Sequence, residues 1–295
     1  MRLVIFGATG MLGHKLWQFF RTRLDTWAIA RAGIEQYASY NLYDPERFLG
    51  KICISDLDEI SKLFLRLKPD VVINCVGIVK QSSAANDPIS SLNVNSLFPH
   101  RLALLCRAVE ARFIHISTDC VFAGRKGMYN EDDVPDAEDL YGRSKLLGEV
   151  QGARVLTLRT SIIGRELQTK RGLVEWFLSN RGGRIKGYVN AIYSGFTTIS
   201  LAKIISNIIE KKPELHGVYH VSSDPINKYD LLCLLRDAYR VKIKIEPSTD
   251  IKINRSLDST RFRNEMMFMP ETWWQMVKEM ASDPTPYDKW KSMNG

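Results

Sequence analysis

Tyr141 and Lys145 stand four residues apart in Tyr141-Gly142-Arg143-Ser144-Lys145, so on a helix they share one face. A free phenol titrates near ~10 and is a slow acid–base at neutral pH. A neighbouring ammonium stabilises the phenolate and lowers that value. Upstream, Ser117-Thr118 ends an apolar run, where a hydroxyl can bind a carbonyl oxygen while Tyr141 protonates it. Near the start, Leu3-Val4-Ile5-Phe6 runs into Gly7-Ala8-Thr9-Gly10-Met11-Leu12-Gly13, a turn suited to a dinucleotide pyrophosphate. In this order the segments predict hydride transfer between a nicotinamide and an alcohol or ketone.

The roles within the turn follow from backbone geometry. Gly7 permits the sharp exit from the strand, Gly10 lets the backbone approach the phosphates, and Gly13 lets the helix pack close to the strand. Thr9, Met11 and Leu12 complete the cradle. The second strand ends Ala28-Ile29-Ala30-Arg31. An acid at that end would accept from the ribose 2′-hydroxyl of NAD; Arg31 stands there and suits a 2′-phosphate. NADPH is therefore expected over NAD. Asp56-Leu57 either lines the adenine pocket or, for Asp56, caps the following helix.

Positioning these groups requires strands that deliver loops to one edge. Strand patterns fall at Leu3–Phe6, Trp27–Ala30, Val71–Cys75, Phe113–Ser117 and Val155–Leu158, with a weaker one at Ile52–Ile54. Helical patterns lie between them at Leu12–Arg23, Leu57–Leu67, Ser90–Glu110 and Tyr141–Val150. This alternation predicts a doubly wound, parallel α/β sheet covered on both faces. After Gly164 glycines punctuate the chain and the alternation fades. Residues 1–164 are thus expected to form the dinucleotide-binding domain. Residues 165–295 mostly form a smaller substrate-binding lobe, with late strands free to return to the main sheet. Amphipathic helices are expected at Ser200–Lys211 and Tyr229–Tyr239, and a C-terminal helix near Glu271–Val277 with Pro270 at its start.

The 295 residues suffice for a substantial core, and 45% apolar with 25% charged residues is ordinary for a globular protein. No apolar run is long enough to span a bilayer, and no signal-peptide pattern opens the sequence. The five cysteines include no Cys-x-x-Cys pair, which favours free thiols in a cytoplasm and no zinc site. His216 and His220 bracket a strand-like Gly217-Val218-Tyr219, so their spacing is not that of a helical ligand pair, and no metal is expected. His115, in an apolar strand, reads as a core histidine. The net charge of +8 lacks a dense basic run, so nucleic acid is not an expected partner.

With these residues the chain resembles the extended short-chain dehydrogenase/reductase superfamily, and within it the dTDP-4-dehydrorhamnose reductase family of nucleotide-sugar 4-ketoreductases. The resemblance is carried by the glycine turn, Lys68-Pro69-Asp70-Val71-Val72-Ile73-Asn74 and Ile116-Ser117-Thr118-Asp119-Cys120-Val121-Phe122-Ala123-Gly124. Tyr129-Asn130-Glu131-Asp132-Asp133, Tyr141–Glu149 and Leu158-Arg159-Thr160-Ser161 extend it. It implies a Rossmann fold, with Thr118, Tyr141 and Lys145 as the catalytic three. It also implies that Cys75-Val76-Gly77 passes beneath the cofactor and that Thr160-Ser161-Ile162 borders the nicotinamide. A role in deoxysugar and polysaccharide biosynthesis, and a possible homodimer, are implied by the resemblance alone.

Three departures bear on the substrate. Cys120 stands where the family usually has Tyr, Ile162 where it often has Trp, and Gly77–Gln81 differs from the usual small-residue pattern. Lys80 and Gln81 are suited to an acetamido substituent. A UDP-linked N-acetyl-4-keto-6-deoxy sugar therefore competes with dTDP-4-dehydrorhamnose. In the second half, Trp176, Lys186, Asn190, Tyr193 and Thr197 are expected to line a nucleotide-sugar cleft, with Arg255 and Arg261 at the diphosphate. A related dehydratase carries Thr-Asp-Glu; here Thr118-Asp119-Cys120 offers a thiol, which disfavours dehydration. An epimerase that retains NAD, and a non-catalytic NADP-binding regulatory subunit, remain as alternatives.

Overall fold

The computed structural model describes residues 1–80 and 83–293. Twelve strands follow in chain order: β1 (Arg2–Phe6), β2 (Asp25–Ile29), β3 (Phe48–Leu49), β4 (Val71–Asn74), β5 (Arg112–Ile116) and β6 (Val155–Arg159). Then come β7 (Ile162–Ile163), β8 (Arg184–Tyr193), β9 (Phe196–Thr197), β10 (Gly217–His220), β11 (Ile226–Asn227) and β12 (Lys244–Asn254). Seven of them form one all-parallel sheet in the order β10-β6-β5-β4-β1-β2-β3. The order reverses between β1 and β4, so the crevice at their carboxyl ends is where an open α/β sheet binds ligands.

Both faces of the sheet are covered, which is why its central strands read as continuous apolar runs. Along β1 the side chains alternate between two cores. Leu3 and Ile5 join Leu16, Trp17, Leu201 and Ile205 on one face; Val4 and Phe6 join Ile60, Phe64, Phe98 and Leu102 on the other. The helix Gly13–Phe20 packs against the late helix Thr198–Lys211 on the first face. Strand β10, also from the second half of the chain, adds to the edge beside β6. The remaining late strands make a small sheet, β11-β8-β12, and a two-stranded β7-β9 pair. Among the described residues no helix is long and apolar enough to cross a membrane.

Several elements differ from the sequence expectation. The third strand is Phe48–Leu49, not Ile52–Ile54: Ala28 pairs with Phe48 and Ile29 with Leu49. Ile52 keeps only a bond from its N–H to Ala30 O before the chain leaves for the next helix. The expected helix Ser90–Glu110 is three pieces: a turn at Pro88–Ser91, a π-helical stretch Leu92–Leu97 and an α-helix Phe98–Ala108. Pro99 explains the middle piece, since it has no N–H to offer the Asn95 carbonyl. That freed carbonyl lies against Gly148, where an added Cβ would approach within 1.8 Å of Asn95 O. The C-terminal helix is Trp273–Ala281, started by a Thr272–Gln275 capping box and not by Pro270. A further helix, Tyr287–Met293, follows it.

Candidate active site

Gly7 leaves β1 with φ +75°, and its N–H donates to Ile29 O at 3.1 Å. A Cβ here would press the backbone of Cys75 at 3.0 Å. At Gly13 a Cβ would fall 2.1 Å from Gly7 O, so only glycine lets the first helix start this close to the strand. Gly10 is exposed, with Gly7 O at 3.4 Å the single close neighbour of an added Cβ. The backbone N–H groups of Met11 and Leu12 make no hydrogen bond among the described residues. Free N–H groups and a helix start meet at an open turn, which fits a pyrophosphate.

Arg31 lies two residues past β2, exposed and without an ion pair among the described residues. Its guanidinium is free for a 2′-phosphate. Asp56 takes the capping alternative: its carboxylate accepts from Glu59 N at 2.9 Å at the start of the helix Leu57–Leu67. Leu57 and Val76 flank the same core cluster. Thr9 accepts from the Tyr37 hydroxyl at 3.3 Å, and the Tyr43 hydroxyl donates to Ala8 O at 2.9 Å. Tyr37 and Tyr43 therefore brace the turn from behind, with Tyr40 packed against Tyr37. Sequence reading passed over them, although their spacing of three was visible.

The proton-transfer groups gather at the ends of β4 and β5. Ser117 and Thr118 point to opposite sides, as successive residues of an extended chain must. Ser117 Oγ donates to Glu149 Oε1 at 2.7 Å, and Glu149 is held by Arg159 at 2.7 Å. Thr118 lies instead on the side of Tyr141: its Oγ1 accepts from Cys120 N at 3.1 Å and donates to Asp119 Oδ1 at 3.2 Å, and it opposes the rise of the phenol pKa. Asp139 caps the helix Leu140–Leu147 by accepting from Gly142 N at 2.8 Å, placing Tyr141 in its first turn. Gly142 allows the contact, since a Cβ there would lie 2.3 Å from Cys120 O.

Burial pushes the Tyr141 phenol upward, with the Cys120 and Asp119 side chains adding to the rise and hydrogen bonding by Thr118 opposing it. Lys145 does not play the expected part in this arrangement. Its Nζ donates to Ile116 O at 2.8 Å and lies 3.4 Å from His115 Nε2. Burial lowers the amine to about 8. Cys75 and Cys120 are each pushed up to about 12, both chiefly by burial. Thiols held neutral in this way are poor acid–base groups. Beyond Cys75, the exposed Gly77 keeps a Cβ-sized space with Asn95 Oδ1 at 3.5 Å. Thr160 is buried, Ser161 O accepts from Phe196 N at 2.9 Å, and Ile162 opens β7.

The expected substrate residues separate into groups. Tyr193 is in the site: its hydroxyl is buried without a hydrogen-bond partner among the described residues, and the Asp119 carboxyl raises its pKa further. Arg255 is there too, its Nε donating to Phe122 O at 2.8 Å and its charge opposing the burial that raises Asp119. Lys80 is exposed and paired with Asp139 at 2.8 Å; Gln81 lies outside the described residues. Trp176 packs under Lys228, whose Nζ is 4.9 Å from the ring centroid. Lys186 pairs with Asp250 at 2.8 Å, and Asn190 is exposed on β8. Arg261 stacks over Tyr219 at 4.5 Å beside Glu131, apart from Arg255. Thr197 does not line a cleft: it is fully buried and caps the helix Thr198–Lys211 by accepting from Ser200 N at 3.3 Å.

The chain is 27% identical over 253 residues to methionine adenosyltransferase 2 subunit beta of Danio rerio, covering 81% of this chain and 74% of that one. It is 33% identical over 152 residues to the probable low-salt glycan biosynthesis reductase Agl14 of Haloferax volcanii, across 50% of this chain and 48% of the relative. The fold matches dTDP-4-dehydrorhamnose reductase of Bacillus anthracis, solved in complex with NADP, with a TM-score of 0.77 at 19% identity over 95% and 98% of the two chains. The model of the RmlD substrate binding domain family matches residues 1–285. A glycine turn after the first strand and a family match over nearly the whole chain thus converge, and the protein belongs to this family, the dTDP-4-dehydrorhamnose reductase family of extended short-chain dehydrogenases/reductases.

Proposed function

We propose that this protein is an NADPH-dependent reductase of a nucleotide-linked 4-keto-6-deoxy sugar. The observation that carries the reading is the placement of Thr118, just after β5, beside the Asp139-capped first turn that holds Tyr141, with burial raising the phenol. Thr118 binds the C4 carbonyl oxygen of the sugar and orients it. Tyr141 donates its proton to that oxygen as the carbon is reduced, a role worth typically ~10²–10⁴-fold. The nicotinamide, when bound, supplies the hydride. The free N–H groups of Met11 and Leu12 hold the pyrophosphate, and Arg31 takes the 2′-phosphate.

Tyr193 and Arg255 meet the sugar and the diphosphate. The candidate substrates are dTDP-4-dehydrorhamnose and a UDP-linked N-acetyl-4-keto-6-deoxyhexose. Dehydration and epimerisation are weaker readings. Cys120 is a half-buried thiol where a dehydratase needs a carboxyl acid, and the free Arg31 favours an exchangeable NADPH over a retained NAD. The free cysteines favour a cytoplasmic setting. A non-catalytic NADP-binding subunit is the second reading, supported by relatives named as subunits of methionine adenosyltransferase 2.

NADPH oxidation with a panel of 4-keto-6-deoxy nucleotide sugars, beside a Tyr141→Phe control, tests the proposal. Turnover that the control loses supports the reductase, and the preferred panel member names the substrate. Tight NADPH binding with no turnover on any member would replace it with the subunit reading.

A further inference from the structure

The carbonyl of Gly10, the exposed glycine of the turn, is engaged twice by one residue. His14 N donates to it at 3.0 Å as the following helix begins, and His14 Nδ1 lies 2.8 Å from the same oxygen. On the far side of the ring, His14 Nε2 lies 2.8 Å from the hydroxyl of Tyr287, 273 residues along the chain. His14 is completely buried and Tyr287 almost so. Residues 283–287 are fastened along the helix Gly13–Phe20. Lys15 pairs with Asp283, each side chain shielded from water, and Gln18 Nε2 donates to Thr285 Oγ1 at 3.0 Å. Arg165 lies over the Tyr287 ring at 4.8 Å, and Trp290 packs against Tyr40 with ring centroids 5.1 Å apart.

These bonds can run in one direction only. A carbonyl oxygen accepts, so His14 Nδ1 carries a proton and donates it to Gly10 O. Burial lowers the ring to about 3 and keeps it neutral, so Nε2 offers a lone pair and accepts from the Tyr287 hydroxyl. Burial also pushes the Tyr287 phenol upward, which keeps that hydroxyl a donor. Gly10 O and the Met11 N–H belong to one planar trans peptide and point opposite ways. Drawing the carbonyl inward onto His14 therefore turns the Met11 N–H outward, where it meets no acceptor among the described residues. Tyr287 O–H, His14 Nδ1–H and Met11 N–H thus donate in the same sense, and hydrogen bonds aligned head to tail polarise one another.

We propose that Tyr287 and His14 are positioning residues for the dinucleotide, a line of donors that fixes the peptide joining Gly10 and Met11 and strengthens the Met11 N–H as a donor to the pyrophosphate. The inference rests on reading the glycine turn as the NADPH cradle, and it gives the C-terminal segment a part in that site. No proton moves along the line; it acts by orientation and polarisation. Tyr37 on Thr9 and Tyr43 on Ala8 O hold the residues just before it. The line from Tyr287 holds the peptide that has to meet the phosphates, and Tyr287 reaches it from the opposite end of the chain.

The test titrates the full chain with NADPH and with adenosine 2′-monophosphate, which offers the adenine and the 2′-phosphate but no pyrophosphate. Tyr287→Phe keeps the buried ring and removes only the donor. It is expected to weaken NADPH by about three- to tenfold, the worth of one hydrogen bond, and to leave adenosine 2′-monophosphate unchanged. His14→Leu, which removes both links, should weaken NADPH further. In the ¹⁵N-histidine-labelled parent near neutral pH, His14, assigned by its shift in Tyr287→Phe, should carry its proton on Nδ1 and none on Nε2. Equal losses for the two ligands would make Tyr287 a packing residue and overturn the proposal. An unchanged NADPH affinity in Tyr287→Phe, or a proton on Nε2, would overturn it too. Should His14→Leu fail to fold, or adenosine 2′-monophosphate bind too weakly to titrate, NADPH binding by Tyr287→Phe and the parent tautomer still decide. A parent that binds neither NADPH nor NADH would overturn the cofactor reading and this proposal together. No sugar enters the experiment, which separates it from the assignment of substrate.

Discussion

At the glycine turn the groups offered to a ligand are main-chain N–H groups, with the exposed Gly10 and the free Arg31 beside them. At the ends of β4 and β5 they are side chains, and Thr118, Lys145, His115 and Asn74 are all buried. A pyrophosphate is already charged, so an open cradle of dipoles suffices to hold it. Proton transfer needs groups held in fixed relation and shielded from water, and here burial raises the phenol and lowers the amine. The open region therefore tolerates change in everything but backbone shape. The closed one depends on each polar group having a partner.

The sharpest way to break this contrast is Tyr141→Phe. It should cost about 10²–10⁴-fold in kcat for ketosugar reduction and leave NADPH affinity unchanged, measured by turnover and by nicotinamide fluorescence. Next are two substitutions within the turn. Gly13→Ala should destabilise the chain by about 1–3 kcal/mol, because its Cβ meets the Gly7 carbonyl and cannot be relieved by a rotamer. Gly10→Ala should stay within about 0.5 kcal/mol of the parent in thermal unfolding yet weaken NADPH binding. Equal destabilisation by both would remove the distinction between packing and ligand approach.

Arg31→Ala should weaken NADPH by about tenfold while leaving NADH affinity unchanged, measured by titration with each dinucleotide. An equal loss for both would place Arg31 on the adenine and not on the phosphate.

A further prediction concerns acid. His14, behind the turn, bonds Gly10 O and the Tyr287 hydroxyl, each at 2.8 Å, and burial lowers it to about 3. Its folded pKa lies below the unfolded value of about 6.5, so the unfolded chain binds the extra proton. Stability is whole above that value and is lost progressively as pH falls toward about 3. His220, lowered to about 4, adds to the same loss. Denaturant midpoints between pH 7.5 and 5 should fall, and His14→Gln should flatten the slope by about one proton.

The sheet was legible because a parallel strand buried on both faces reads as a near-continuous apolar run, and the centres of β1, β4, β5 and β6 do, with Asn74, His115 and Arg159 standing at or near their carboxyl ends. β3 was not, since two residues carry no period and Ile52–Ile54 is equally apolar. The π-helical stretch escaped because Pro99 announces a missing hydrogen bond without saying how the turn will widen. Within the site, Tyr141 and Lys145 were placed on one face by helical spacing alone. The direction of Lys145 was not, because the acceptor it finds, Ile116 O, belongs to another element.

The sequence by itself determined a strand running into a glycine turn, a tyrosine and lysine one helical turn apart, and a basic residue after the second strand. Each is local: sterics at glycine, a period of 3.6 and the ends of apolar runs. Only the tertiary structure decided which of Ser117 and Thr118 faces the phenol, that Thr197 is a cap, and that Arg255 and Arg261 part company. It alone joined Asn74 to His115 and His115 to Lys145. Such matters depend on which donors and acceptors meet across strands distant in the chain. Hydrogen bonding there is set by burial and register, which no short stretch of sequence contains.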